Sequence, residues 1–252
     1  MFKQIIKKII PKSFLKLIKN YLDTLRLKKF KKLSNEEVFR KIYDEKLWTP
    51  DDKKEHFNYY SGLGSHSHEF TEVYLKEVNK FLMSFNNKQN VVDLGCGDFS
   101  IGSQIRKNCN DFIAIDIFDE LIEANKKKFK DMRVEFKAID FTNNKIPKAD
   151  ICMLRFVLQH LSNESILNFL KLSADNFKYI ILTEHLPDNE KFVANLDMPT
   201  SSYIRLAKNS GIVLTKPPFN LKVVNEKLLC NLKPKNNKDF EGVCNTKILQ
   251  IF

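Results

Sequence analysis

Short, nearly unbroken apolar runs punctuate the second half of the chain, at residues 91–94, 112–116, 133–141, 150–154 and 179–183. Each has the length of a strand. Helix-length segments lie between and after them, among them residues 100–108, 164–174 and 202–209. A strand that is apolar at almost every position must be covered on both faces, so this pattern predicts a doubly wound α/β domain around a mostly parallel sheet. Apolar stretches at 212–214, 221–224 and 247–252 supply further strands. The N-terminal region differs. Phe14, Leu15, Ile18, Tyr21, Leu22 and Leu25 recur at helical spacing with Lys12, Lys16 and Lys19 between them, and Pro11 suits a first helical turn. Residues 35–79 stay mainly helical, broken by Trp48-Thr49-Pro50 and by the run from Tyr59 to His68. That run holds two glycines, three serines, two tyrosines and two histidines, which cannot form an amphipathic helix. It predicts either a functional loop over a rigid scaffold or a simple helix-linking turn. Three regions follow: an arm at 1–33, a helical extension with a lid loop at 34–88, and an α/β domain at 89–252.

Charge sharpens this division. The 252-residue chain carries a net charge of +11. Residues 1–33 hold eleven Lys or Arg and one acid, Asp23, which leaves 31 bases and 30 acids for the rest. The body is therefore close to neutral, and its charge makes no case for nucleic-acid binding. The basic amphipathic arm suits either an anionic membrane surface or a packed position on its own domain or a partner chain. Lysines interrupt its apolar stretch and no small-residue cleavage site follows, which argues against a signal peptide. No run approaches eighteen uncharged apolar residues, the length of a bilayer-spanning helix. The five cysteines form no CxxC pair, which points to free thiols in a reducing compartment such as the cytoplasm. No paired histidine and carboxylate stand at metal-ligand spacing, so no metal is expected.

The most specific segment is Val91-Val92-Asp93-Leu94-Gly95-Cys96-Gly97-Asp98-Phe99-Ser100-Ile101-Gly102. A short strand enters a two-glycine bend, and a helical pattern follows. Nineteen residues after Gly97 the next strand ends in Asp116. In nucleotide-binding βαβ units an acid at that place accepts hydrogen bonds from ribose hydroxyls. No third glycine opens the helix, and Asp93 precedes the first glycine. That acid would repel a pyrophosphate and suits a cationic or amine-bearing ligand.

In these residues the sequence resembles the class I S-adenosylmethionine-dependent methyltransferases, over about residues 89–252, with Phe99 standing where their motif has a third glycine. The resemblance implies a Rossmann-like seven-stranded sheet with an antiparallel closing strand. It implies S-adenosylmethionine as cofactor and S-adenosylhomocysteine as product. Asp93, Gly95 and Gly97 would then shape the methionine end of the donor site. Asp116, with Ile117 after it, would hold the ribose side, and Asp140 and Phe141 the adenine. Asp140 also reads as a strand-end turn residue.

Methyl transfer needs alignment of acceptor, methyl and sulfur, and a hydroxyl acceptor gains from a general base. His185 and His160 follow the fifth and fourth strands, where ligands of open α/β sheets bind. Glu184 could orient His185, and either histidine could equally be a hydrogen-bonded structural residue. His66 and Tyr60, from the loop, are candidate substrate contacts. Arg155 could clamp a carboxylate or phosphate on the acceptor, or pair locally with Asp150 or Glu184. Base methyltransferases carry an Asn/Asp-Pro-Pro-aromatic motif after the fourth strand. Here that place reads Leu154-Arg155-Phe156-Val157, and Pro217-Pro218-Phe219 comes over sixty residues later, which disfavours nucleic-acid bases as acceptors.

The segments Tyr59–His66, Asp93–Phe99 and Leu158–Asn163 are together similar to a bacterial subgroup associated with capsule and surface-polysaccharide biosynthesis. That likeness implies O-methylation of a sugar, a sugar-linked phosphoramidate or a small phosphorylated metabolite, in the cytoplasm near the inner membrane surface. The rival expectations are a non-catalytic S-adenosylmethionine- or nucleotide-binding scaffold, and a protein or RNA methyltransferase using the basic arm.

Overall fold

The computed structural model describes residue 25 and residues 27–233 and 242–252. Most of the predicted arm at 1–33 therefore lies outside the described residues. Six helices are used below: α1 (Asn35–Asp44), α2 (Leu63–His66), α3 (His68–Leu82), α4 (Gly102–Ile105), α5 (Asp119–Lys128) and α6 (Asn163–Ser173). The main sheet contains β1 (Val91–Leu94), β2 (Phe112–Asp116), β3 (Glu135–Ala138), β4 (Ala149–Arg155), β5 (Phe177–Leu186), β8 (Asn225–Leu232) and β9 (Val243–Gln250). Its order is β3-β2-β1-β4-β5-β9-β8, while β6 (Val193–Ala194) and β7 (Ser210–Gly211) pair separately. The first five strands are parallel, and β9 runs antiparallel to both β5 and β8. This is the mostly parallel α/β sheet expected from the apolar runs, with the seven strands and antiparallel closing strand that the resemblance implies.

Side chains alternate across the sheet and build a core on each face. On one face Val92, Leu94, Cys152, Leu154, Ile180 and Leu182 pack with Ile166 and Phe169 of α6. On the other, Val91, Ala114, Ile151, Met153 and Ile181 meet Tyr74, Val78 and Leu82 of α3 and Ile105 of α4. The helical extension joins this body. α1 starts at a capping box formed by Ser34 and Glu37, then buries Val38 and Ile42 against Phe30, Trp48 and Tyr203.

Several boundaries differ from the sequence pattern. β3 stops at Ala138, so Asp140 and Phe141 stand in the turn beyond it. β5 continues to Leu186, because β9 pairs with it as far as Leu186 opposite Val243. Glu184 and His185 are thus strand residues. The helix expected at 202–209 is a single 3-10 turn, Arg205–Lys208. The tail strands fall at 225–232 and 243–250 instead of 212–214, 221–224 and 247–252. β8 is an edge strand with several exposed positions, so no continuous apolar run marks it.

Candidate active site

The order of strands reverses between β1 and β4, and ligands of open α/β sheets bind outside the carboxyl ends of strands at such a switch point. A cavity of about 580 Å³ lies there, within the size range of small-molecule sites. The bend after β1, the ends of β2 to β5, α1 and the loop at 61–65 line it.

Gly95 and Gly97 take the left-handed backbone conformation, with φ of +72° and +55°. A Cβ on Gly95 would come within 2.5 Å of Val157, and one on Gly97 within 2.2 Å of the Ser61 hydroxyl. The bend is therefore a cradle that any side chain would fill. Phe99 also has positive φ, +59°. Its fully buried ring meets Phe112, Phe129 and Phe136 edge-on at 5.0–5.5 Å. A Cβ on Gly102 would come 2.2 Å from that ring, so Gly102 makes the room that Phe99 needs. Aromatic packing thus holds a conformation usually left to glycine.

Asp116 is buried at the end of β2. One of its oxygens accepts the Gly97 N–H at 3.0 Å and the other the Phe118 N–H at 3.2 Å. Burial pushes its carboxyl pKa up, and these N–H groups pull against the shift. Each carboxylate oxygen keeps a further lone pair, and Asp116 and Ile117 both line the cavity. Asp140 also lines it, beside Phe141. Its carboxylate accepts from the Thr142 N–H and hydroxyl at 2.9 and 2.6 Å and from the Asn143 amide at 2.7 Å, so it also ties its own turn. Asp93 lies buried in β1 outside the lining, its carboxyl pushed up to about 7 by burial, with Arg155 opposing and Asp116 adding to the shift.

Tyr60 and His66 do not line the cavity, contrary to their expected contact with substrate. They stack on each other with ring centroids 4.2 Å apart, and His66 Nε2 meets the Asp98 carboxylate. The Asp98 N–H donates to the Ser61 hydroxyl at 2.7 Å, and the Ser61 N–H to Asp98 at 3.3 Å. Burial opposes the Asp98 charge, but the His66 hydrogen bond and those from Ser100 outweigh it and keep the carboxyl below its usual range. These groups fasten the lid to the bend. Arg155 lines the cavity but departs from the reading as a local ion pair. Its guanidinium pairs with neither Asp150 nor Glu184 and instead donates to the Gly64 carbonyl at 2.5 Å and the Ser65 hydroxyl at 3.3 Å.

His160 and His185 both line the cavity. His160 Nδ1 lies 3.2 Å from the Tyr203 carbonyl, which only accepts, so Nδ1 carries the proton and Nε2 is the acceptor, 3.3 Å from the Gln159 amide. Burial lowers the His160 pKa to about 4. His185 stands opposite Cys244, another lining residue. Glu184, expected to orient His185, faces the other side of the sheet, because successive strand residues point in opposite directions. Its carboxylate lines a separate small cavity and makes no full hydrogen bond, and burial pushes its pKa up to about 8.

Sequence reasoning did not single out Tyr43 and Trp48 as lining residues, nor Asp98 as the lid's anchor. Trp48, the sole tryptophan, packs on the His160 ring at 4.8 Å. Among the described residues, no group of three or more His, Cys, Asp or Glu could hold a metal ion. No described helix is long and apolar enough to cross a membrane.

No curated protein matches the sequence. Solved structures share the fold at low identity. The Leishmania major S-adenosylmethionine-dependent methyltransferase superposes with a TM-score of 0.55 at 15% identity, covering 88% of this chain and 89% of its own. The N-methyltransferase NodS of Bradyrhizobium japonicum, solved with S-adenosylhomocysteine, gives 0.54 at 13%, covering 82% and 97%. Magnesium protoporphyrin IX methyltransferase of Synechocystis, solved with S-adenosylmethionine, gives 0.51 at 13%, covering 86% and 98%. A model of the O-methyltransferase domain matches residues 25–211, from the end of the arm to β7. With most of its length matched and the fold of S-adenosylmethionine-dependent methyltransferases around the cavity, the chain belongs to the O-methyltransferase domain family.

Proposed function

We propose that this chain transfers a methyl group from S-adenosylmethionine to a hydroxyl oxygen of a small, uncharged acceptor. The observation that carries this reading is one continuous cavity joining the Asp116 carboxylate and the two-glycine cradle to His160 and His185. When bound, the sulfonium donor supplies an activated methyl: its C–S bond breaks as the C–O bond forms. Asp116 accepts the ribose hydroxyls with its remaining lone pairs, and Ile117 packs beside them. Asp140 accepts from the adenine amine, and Phe141 packs on the ring. Gly95 and Gly97 make room for the aminoacyl end, with Asp93 in the strand below. His185 takes the acceptor proton. His160, with a pKa of about 4, is the weaker base, and its Nε2 lone pair is already taken by the Gln159 amide.

The acceptor's charge follows from the lining. Among the described residues, Arg155 is the only Lys or Arg there, and its guanidinium is bonded to the lid. A phosphorylated acceptor would find no free clamp among the described residues. Ser202, Gln159 and the two histidines suit the hydroxyls of a sugar, the class implied by the likeness to surface-polysaccharide enzymes. That setting puts the chain in the cytoplasm with the basic arm on the inner membrane surface. Flotation with anionic liposomes, with and without residues 1–33, tests the placement.

The decisive experiment combines calorimetry with S-adenosylhomocysteine and turnover of methyl-labelled donor against neutral and phosphorylated sugars. Asp116→Ala should weaken S-adenosylhomocysteine by about 1–3 kcal/mol. Unaltered affinity, or binding without transfer to any acceptor, would favour the scaffold reading.

A further inference from the structure

We infer that Arg155 is a positioning residue that holds the lid closed over the donor half of the cavity. It stands at the end of β4, a strand paired on both sides and buried along most of its length. From this rigid base its guanidinium crosses to the lid, where Nη2 donates to the Gly64 carbonyl at 2.5 Å and Nη1 to the Ser65 hydroxyl at 3.3 Å. The rings of Tyr74 and Phe156 flank it, each centroid 4.7 Å from Cζ. A planar, forked cation between two aromatic rings has little freedom left to lose when it bonds a loop.

The residues on either side of Gly64 and Ser65 are tied to the bend after β1. Ser61 exchanges two hydrogen bonds with Asp98, and His66 meets the same carboxylate. β1 and β4 are neighbours in the sheet, so the loop bridges the switch point between two fixed anchors. In this closed position Ser61 occupies the space above Gly97 that a side chain there would fill. A ligand seated in the bend packs against the lid at Ser61, so lifting the lid, which breaks the Arg155 bonds, frees that side of it. Arg155 therefore sets the rate at which the donor site opens. It acts through the loop rather than on an acceptor group.

The donor arm of the test rests on the function proposed above, and the loop arm does not. In the full-length protein without ligand, Arg155→Met should speed amide hydrogen exchange at Ser65 and Ser67, whose N–H groups bond within the loop, by about ten- to a hundredfold. Exchange in β1 and β4 should stay unchanged. The same variant should release S-adenosylhomocysteine faster by a similar factor. Arg155→Lys should recover part of each effect, since an ammonium keeps the charge but loses the fork. Ser65→Ala, which removes the longer bond from the loop side, should give a smaller change in the same direction. Unchanged loop exchange in both Arg155 variants overturns the inference. So does a uniform rise across the sheet, which marks a general stability role. If the wild-type protein does not bind S-adenosylhomocysteine, the donor reading fails, and loop exchange still decides the role of Arg155.

Discussion

Replacing Glu184 with glutamine is expected to stabilise the protein above neutral pH and leave methyl transfer intact. The side chain is 2% exposed, and its carboxylate makes no full hydrogen bond, the Leu158 and Gln159 N–H groups only approaching it. Burial raises its pKa from 4.5 to about 8, with Arg205 and the Leu158 and Gln159 N–H groups opposing. The native state therefore keeps a proton that the unfolded chain releases above pH 4.5. Stability must fall as pH rises through that window and level off above about 8. One pH unit corresponds to about 1.4 kcal/mol, so the full window is worth about 5 kcal/mol. The small cavity beside Glu184, about 20 Å³, has room for one water, and a bridge to the unpartnered Asn245 oxygen would reduce the effect to about 2–3 kcal/mol. Glutamine has no charge to lose and can donate to Asn245, its neighbour across the ladder. Urea unfolding of both proteins at pH 5, 7 and 9 isolates the effect, because Asp93, raised in the same direction, is common to both. The stability gap should widen with pH. A gap independent of pH, or a wild type more stable at pH 9, would refute the reasoning. Loss of methyl transfer in Glu184→Gln would refute its placement on the face opposite His185.

Other expectations follow from single contacts. Gly102→Ala drives a methyl to 2.2 Å from the Phe99 ring and should cost about 1–3 kcal/mol of stability by overpacking. Adding Phe99→Leu should return part of that loss, and an unchanged melting temperature in the single variant would contradict the packing. His160 should remain neutral down to about pH 4 in a proton NMR titration, and a midpoint near 6.5 would contradict its burial. Because its native pKa is depressed, its contribution to stability is present above 6.5 and lost as pH falls towards 4, by about 3 kcal/mol. His185→Ala should lower kcat by about 10²–10⁴ while S-adenosylhomocysteine affinity stays the same. Such a loss in His160→Ala, but not in His185→Ala, would move the base to His160.

The strands around the site were legible because their demands are local. β2 falls where the apolar run places it, at Phe112–Asp116, and β4 extends the expected 150–154 by one residue at each end. The two glycines stand at the end of β1, at the switch point, and Asp116 at the end of the neighbouring β2, as their order along the chain implies. β8 was not legible, because an edge strand with exposed positions shows no apolar run. The roles of Glu184, Arg155, Tyr60 and His66 were not legible either. Glu184 faces away from His185 only because β9, nearly sixty residues later, extends the pairing of β5 to Leu186. Arg155 serves the lid only because a loop some ninety residues earlier docks on β4.

The sequence by itself determined the α/β architecture and the bend, since burial on both faces of a strand and left-handed backbone are conditions that nearby residue types meet. Tertiary structure alone decided which polar groups face the cavity and which fasten its cover. A side chain's direction at a strand end depends on the partner strand, and its hydrogen bonds depend on groups brought near by the fold.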